Sequence, residues 1–152
     1  MPILISACLL GCKCRYDGAS KAHPGALRLA EAAALIPVCP EQLGGRPPPR
    51  PPAERRGDAV VTESGADVTA QYRRGAEEAV HLAQMFRCET AVLKERSPSC
   101  GCGKIYDGTF KRTLIPGDGL TAQMLKAAGV AVYGESEIET LIATQEKERR
   151  NT

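Results

Sequence analysis

Three short apolar runs in this chain each run out into a cysteine-bearing loop, and this arrangement restricts the available folds more than any other feature. Pro2 to Ala7 gives way to Cys8 and Cys14, Leu35-Ile36-Pro37-Val38 to Cys39-Pro40-Glu41, and Thr90-Ala91-Val92-Leu93-Lys94 to Glu95-Arg96-Ser97-Pro98-Ser99-Cys100-Gly101. Short apolar runs bounded by Gly and Pro read as buried strands. Helical spacing appears between them. From Pro24 to Leu35 it is carried by Ala26, Leu27, Leu29, Ala30, Ala33 and Ala34, and Ala70 to Arg87 places Ala76, Ala79, Val80, Ala83 and Phe86 on one stripe. A third helix is expected from Thr121 to Ala128, a last strand over Val130 to Tyr133, and a C-terminal helix from Ser136 to about Lys147, with the charged Glu146-to-Thr152 end frayed. Strands alternating with helices imply a three-layer α/β arrangement with a mostly parallel sheet. Such sheets bind ligands outside the carboxyl ends of their strands, so cysteines distant in sequence are expected to meet there.

The segment Gly44 to Arg56 is interrupted by prolines at 47, 48, 49, 51 and 52. Proline lacks the N–H and fixes φ, so this stretch is expected to be an extended surface loop, and a long ordered loop inside a domain usually borders a site. Asp58 to Thr62 and Asp67 to Thr69 read as a small hairpin, with Thr69 as cap of the following helix. Tyr106 to Phe110 and Pro116 to Gly119 read as turns, and Thr121 as a helix cap.

At 152 residues the chain has the length of one ordinary domain and can bury a core without disulfides. No apolar run approaches a membrane span, and Met1 to Ile5 lacks the features of a signal peptide. A soluble cytoplasmic protein is expected. That compartment keeps thiols reduced, so seven cysteines read as ligands or catalysts rather than bridges. Cys88 reads as a buried apolar residue, and Cys12 and Cys102 as spares. The near balance of 20 basic and 18 acidic residues, the few aromatics and the absence of Trp favour a small molecule over nucleic acid.

Cytosolic thiolates suit zinc or an iron–sulfur cluster, or stay uncoordinated. Only one C-x₂₋₄-C spacing occurs, Cys8 to Cys12, short of the two knuckles typical of structural zinc, and cysteines on separate loops suit a cluster better. His23 and His81 read as helix-start and packing residues. Glu41, beside Cys39 at a strand end, is placed to act as a general base toward water, or else is a capping or loop charge. Ser97 and Ser99 either cap backbone groups or donate to a substrate, and Lys94, Arg96 and Arg15 are cations near the same mouth. No G-x-G-x-x-G, Walker A or C-x-x-C pattern indicates a nucleotide or an external electron supply.

Ser6-Ala7-Cys8-Leu9-Leu10-Gly11, Cys14-Arg15-Tyr16-Asp17-Gly18, Cys39-Pro40-Glu41, Leu43-Gly44-Gly45, Pro49-Arg50-Pro51-Pro52-Ala53-Glu54 and Leu93-to-Gly101 together resemble the bacterial thiouracil desulfidases, in the same order and over nearly the whole chain. The resemblance implies a single desulfidase domain over residues 1–152, a three-layer Rossmann-like fold with a small hairpin, and a [4Fe-4S] cluster with one iron not ligated by protein. Carried over, it makes Cys8, Cys14 and Cys100 the ligands. Cys39 is a further ligand or a neighbour of the ligands, Glu41 and Ser97 are catalytic, and Ser99, Lys94 and Arg15 bind substrate. The implied reaction is non-redox hydrolysis of a thiolated pyrimidine. Two other readings stay open: a non-catalytic metal or redox module with a saturated thiolate site, and a desulfidase acting on 4-thiouridine in RNA. The latter is disfavoured because family members acting on tRNA add a second domain for which this chain has no room.

Overall fold

A computed structural model describes residues 1–151. Its centre is a four-stranded, wholly parallel sheet made of β1 (Ile3–Ser6), β2 (Leu35–Val38), β5 (Thr90–Leu93) and β8 (Ala131–Gly134), in the order β2-β1-β5-β8. Ile3 faces Leu35 on one side and Thr90 on the other, so the strands end nearly level. Every residue of β1 is buried, as the apolar run Ile3-Leu4-Ile5 requires for a central strand, and the buried Ser6 closes it.

Alternation along β1 builds the two outer layers. Ile3 and Ile5 pack with Leu29 of α1 (Pro24–Ala32) and with Ile138, Leu141 and Ile142 of α5 (Ile138–Arg150). Leu4 points the other way, into a cluster with Ala79 and Ala83 of α3 (Thr69–Met85) and Ala122 and Leu125 of α4 (Leu120–Ala127). This is the three-layer α/β arrangement expected from the pattern. The chain leaves β1 toward β2 on one side and returns to β5 on the other, so the strand order reverses at β1. No helix among the described residues is long and apolar enough to cross a membrane.

Several local expectations are corrected. The hairpin pairs β3 (Ala53–Arg56) with β4 (Ala59–Thr62), not Asp58–Thr62 with Asp67–Thr69; Asp67 makes only an isolated bridge to Val61. The Pro-rich loop therefore ends at Pro52. A tight turn at Gly57 lets Ala53 and Val60 bury their side chains, which outweighs the charge of Arg55 and Arg56. A second hairpin, β6 (Lys104–Tyr106) with β7 (Leu114–Pro116), replaces what reads as isolated turns. Glu54 joins the two hairpins, its Oε1 accepting from the Gly108 and Phe110 N–H groups at 3.0 and 3.1 Å. Thr69 and Thr121 are not caps. The Thr69 hydroxyl accepts from Val60 N–H, and that of Thr121 bonds Ser99. The C-terminal helix runs on to Arg150 rather than fraying from Glu146; Thr152 lies outside the described residues.

The short helix α2 (Pro40–Leu43) lies directly on α3, backbone against backbone. A Cβ on Gly75 would stand 1.8 Å from the Pro40 carbonyl oxygen, and one on Gly44 would stand 2.0 Å from that of Gln71. Only glycine permits this approach, and it fixes the helix that carries Glu41. Gly75→Ala is expected to cost about 1–3 kcal/mol of stability, the usual penalty of overpacking, read as a lower denaturation midpoint. An unchanged midpoint would mean that α2 separates from α3 freely.

Candidate active site

The carboxyl ends of β1, β2 and β5 open into a cavity of about 610 Å³, within the usual range of ligand pockets. Cys8 enters from the 3-10 turn Ala7–Leu10 that follows β1, and Cys14 from the same loop further on. Cys39 precedes α2, and Cys100 ends the loop after β5. Three separate loops thus bring four thiols to one wall. All seven cysteines are free, and the other three lie elsewhere. Cys88 is buried under α3, Cys12 is exposed, and Cys102 donates to the Val132 carbonyl at 3.5 Å.

Three of the four thiols are linked through Cys14. Cys14 is hydrogen-bonded to both Cys39 and Cys8, and Cys39 Sγ also approaches the Cys14 carbonyl at 3.7 Å. The bond with Cys39 pulls the Cys14 thiol down, but the bond with Cys8, burial, and repulsion from Cys8 and Cys12 outweigh it and push the group up to about 11. Cys39 is raised by its bond to Cys14 and by burial. Burial pushes Cys100 up to about 12, against hydrogen bonds from Ser6 and Ser99 that favour its thiolate. In this state the Cys14, Cys39 and Cys100 thiols are protonated at neutral pH, and binding a soft cation there releases protons.

Raised thiols carry a stability consequence. Between the ordinary thiol value of 9.0 and the folded values of about 11 and 12, the unfolded chain binds fewer protons than the folded one. Stability is therefore fully present below pH 9 and lost as pH rises through those values. Chemical denaturation of the metal-free chain from pH 8 upward is expected to show this fall, and a Cys14→Ser, Cys100→Ser double variant a shallower one. Equal slopes would detach the effect from these thiols.

Glu41 lines the same cavity, in the first turn of α2, its side chain 14% exposed. Its Oε2 accepts from Arg50 Nε at 2.6 Å and lies 2.5 Å from Arg50 Nη2. Its Oε1 faces the Ser97 hydroxyl at 3.4 Å. Ser97 Oγ in turn accepts from the N–H groups of Ser99 and Cys100, both at 3.1 Å, so one serine shapes the Cys100 loop and touches the carboxylate. One oxygen of Glu41 is anchored, and the other keeps lone pairs for a water or a proton.

The remaining site residues divide. Lys94 lines the cavity, its Nζ held by Glu135 at 2.8 Å, while its N–H donates to Ser6 Oγ at 2.9 Å. Arg15 also lines the cavity, over the Tyr16 ring. Ser99 is not brought to the cavity. It is fully buried, bonded to Thr121 at 2.8 Å, and its hydroxyl supports the Cys100 thiol instead of facing a ligand. The residues that sequence reasoning passed over are Arg50 and Tyr72. Arg50 stands out in hindsight as the one cation enclosed by prolines, in Pro49-Arg50-Pro51-Pro52. Buried Tyr72 joins the Pro-rich loop to α3 by accepting from Arg46 Nη1 at 3.3 Å.

Among the described residues no group of three or more His, Cys, Asp or Glu side chains is arranged to hold a metal ion. The donor chemistry nevertheless fits a polynuclear thiophilic centre, because four thiols and no imidazole face one cavity from separate loops. Soft donors at the switch point of a parallel sheet define an α/β protein built around a thiolate site. Within that class, residues 3–137 match the family model described as 2-thiouracil desulfurase, and the chain belongs to this family. It is 41% identical over 150 residues to the uncharacterized protein YbbK of Bacillus subtilis (strain 168), covering 92% of this chain and 99% of that protein. A solved structure described as the [4Fe-4S]-dependent thiouracil desulfidase TudS superposes with a TM-score of 0.89 at 45% identity, covering 95% of this chain and 97% of that one.

Proposed function

We propose that residues 1–152 act as one desulfidase domain, which hydrolyses a thiolated pyrimidine such as 2- or 4-thiouracil, or its nucleoside, to uracil and hydrogen sulfide. One observation carries this reading: thiols from three loops share a cavity with a carboxylate and a hydroxyl, in a chain of the desulfurase family similar to the [4Fe-4S]-dependent TudS. Cys8, Cys14 and Cys100 would hold the [4Fe-4S] cluster, with Cys39 beside them, leaving one iron without a protein ligand. When bound, the cluster supplies a thiophilic Lewis acid for the exocyclic sulfur.

The rest is done by side chains. Glu41 Oε1 takes a proton from the water that adds to the C–S carbon. Ser97, which bridges Glu41 and the Cys100 loop, returns a proton to the ring or the departing sulfur. Lys94 and Arg15 bring positive charge to the pocket as the ring gains electron density. Tyr16, Pro51 and Pro52 wall the pocket and limit bulk water. One water enters and one hydrogen sulfide leaves, with no change of oxidation state. Seven unbridged cysteines support a cytoplasmic location. Anaerobic reconstitution with iron and sulfide quantitation, followed by a thiopyrimidine assay, tests the reading. Cluster content with uracil and sulfide formation supports it, whereas a loaded protein inert toward every thiolated pyrimidine makes it a non-catalytic module.

A further inference from the structure

Arg50 is 9% exposed, and a buried guanidinium is costly unless each of its faces is used. Here its faces meet three different parts of the chain. Nε and Nη2 engage Oε2 of Glu41, Nη2 also donates to the Cys14 carbonyl at 3.0 Å, and Nη1 donates to the Arg46 carbonyl at 3.1 Å. The backbone N–H of Arg50 donates to the Tyr16 carbonyl at 2.8 Å. A lysine has neither the planar fork nor the number of donors to repeat this set.

The consequence for Glu41 is directional. With Oε2 held by Arg50 and Oε1 accepting from the Ser97 hydroxyl, the carboxylate plane is set and Oε1 faces Ser97 and the cavity. The same guanidinium pins the carbonyl of Cys14, so one side chain ties the carboxylate directly to the thiol loop. We propose that Arg50 is a positioning residue for the desulfidase reaction, holding Glu41 at a fixed orientation and distance from the Cys14 loop. This rests on the function proposed above. A misplacement of about 1 Å at a reacting group costs on the order of 10²-fold in rate.

The test is a double-variant cycle on the cluster-loaded chain, reading iron and sulfide per chain, kcat, KM and the melting midpoint for Arg50→Ala, Arg50→Lys, Glu41→Gln and Arg50→Ala with Glu41→Gln. Arg50→Ala is expected to keep its cluster and lose roughly 10²-fold in kcat with little change in KM. Arg50→Lys should recover only part of the loss, and added guanidinium ion should raise the turnover of Arg50→Ala. In the Glu41→Gln background, removing Arg50 should cost little more, because the group it positions has lost its function. Wild-type kcat per cluster in Arg50→Ala, or full multiplication of the two losses in the double variant, would overturn the proposal. If the loaded wild type turns over no thiolated pyrimidine, the functional reading fails by itself and the melting midpoints decide on Arg50. A double-variant shift smaller than the sum of the single shifts upholds the pairing, and additive shifts reject it.

Discussion

Cluster-loaded Glu41→Gln is expected to retain its iron and sulfide and to lose about 10²–10⁴-fold in turnover, the usual contribution of a general base. The amide keeps the size of the carboxylate and can still accept from Arg50 through its oxygen, so the architecture of α2 survives. What disappears is the capacity to take a proton from water at the oxygen facing Ser97. Loss of the cluster together with activity would make Glu41 a structural partner of Arg50. Near-normal turnover would reduce it to a loop charge. The comparison is made per cluster, with iron and sulfide measured on the same samples.

Cys8→Ala, Cys14→Ala and Cys100→Ala are each expected to abolish cluster assembly and with it all turnover. The thiols are buried, stand on two loops and face one cavity, and Cys39 is the one further thiol that lines it. Cys12 is exposed and Cys102 is turned toward Val132. Cys39 is the discriminating position. It lines the same wall and is bonded to Cys14, so a centre that used all four thiols would have no position left for substrate. Cys39→Ala is expected to assemble the cluster. Full iron and sulfide in Cys100→Ala, with loss of both in Cys39→Ala, would reassign the ligands and exchange the roles of the two loops.

How far the sequence disclosed this arrangement follows from the range of the forces involved. The strands Leu35–Val38 and Thr90–Leu93 and the helices between them were legible because burial on a parallel sheet imposes apolar runs, and those runs end where the cysteines begin. The convergence of the cysteine loops follows from the strand-end rule. Thr69 and Thr121 misled because a threonine before a helix serves equally well as a bridge to a neighbouring strand or loop, and the choice depends on tertiary partners such as Val60 and Ser99. Ala53–Arg56 was hidden by its charge and by the prolines before it, although Ala53 and Glu54 are buried. The role of Arg50 was hidden for a related reason, although its place among prolines marked the position. Nothing local marks a guanidinium as buried, and its partners lie 9 and 36 residues away at Glu41 and Cys14.

The central claim is that sulfur is replaced by oxygen from water with no electron transfer. Single-turnover and steady-state reactions of the anaerobically loaded protein with 2- and 4-thiouracil in ¹⁸O-labelled water, without reductant or ATP, test it most directly. One labelled oxygen in uracil for each sulfide released is the predicted result; unlabelled uracil, or a reductant requirement stoichiometric with product, would contradict it.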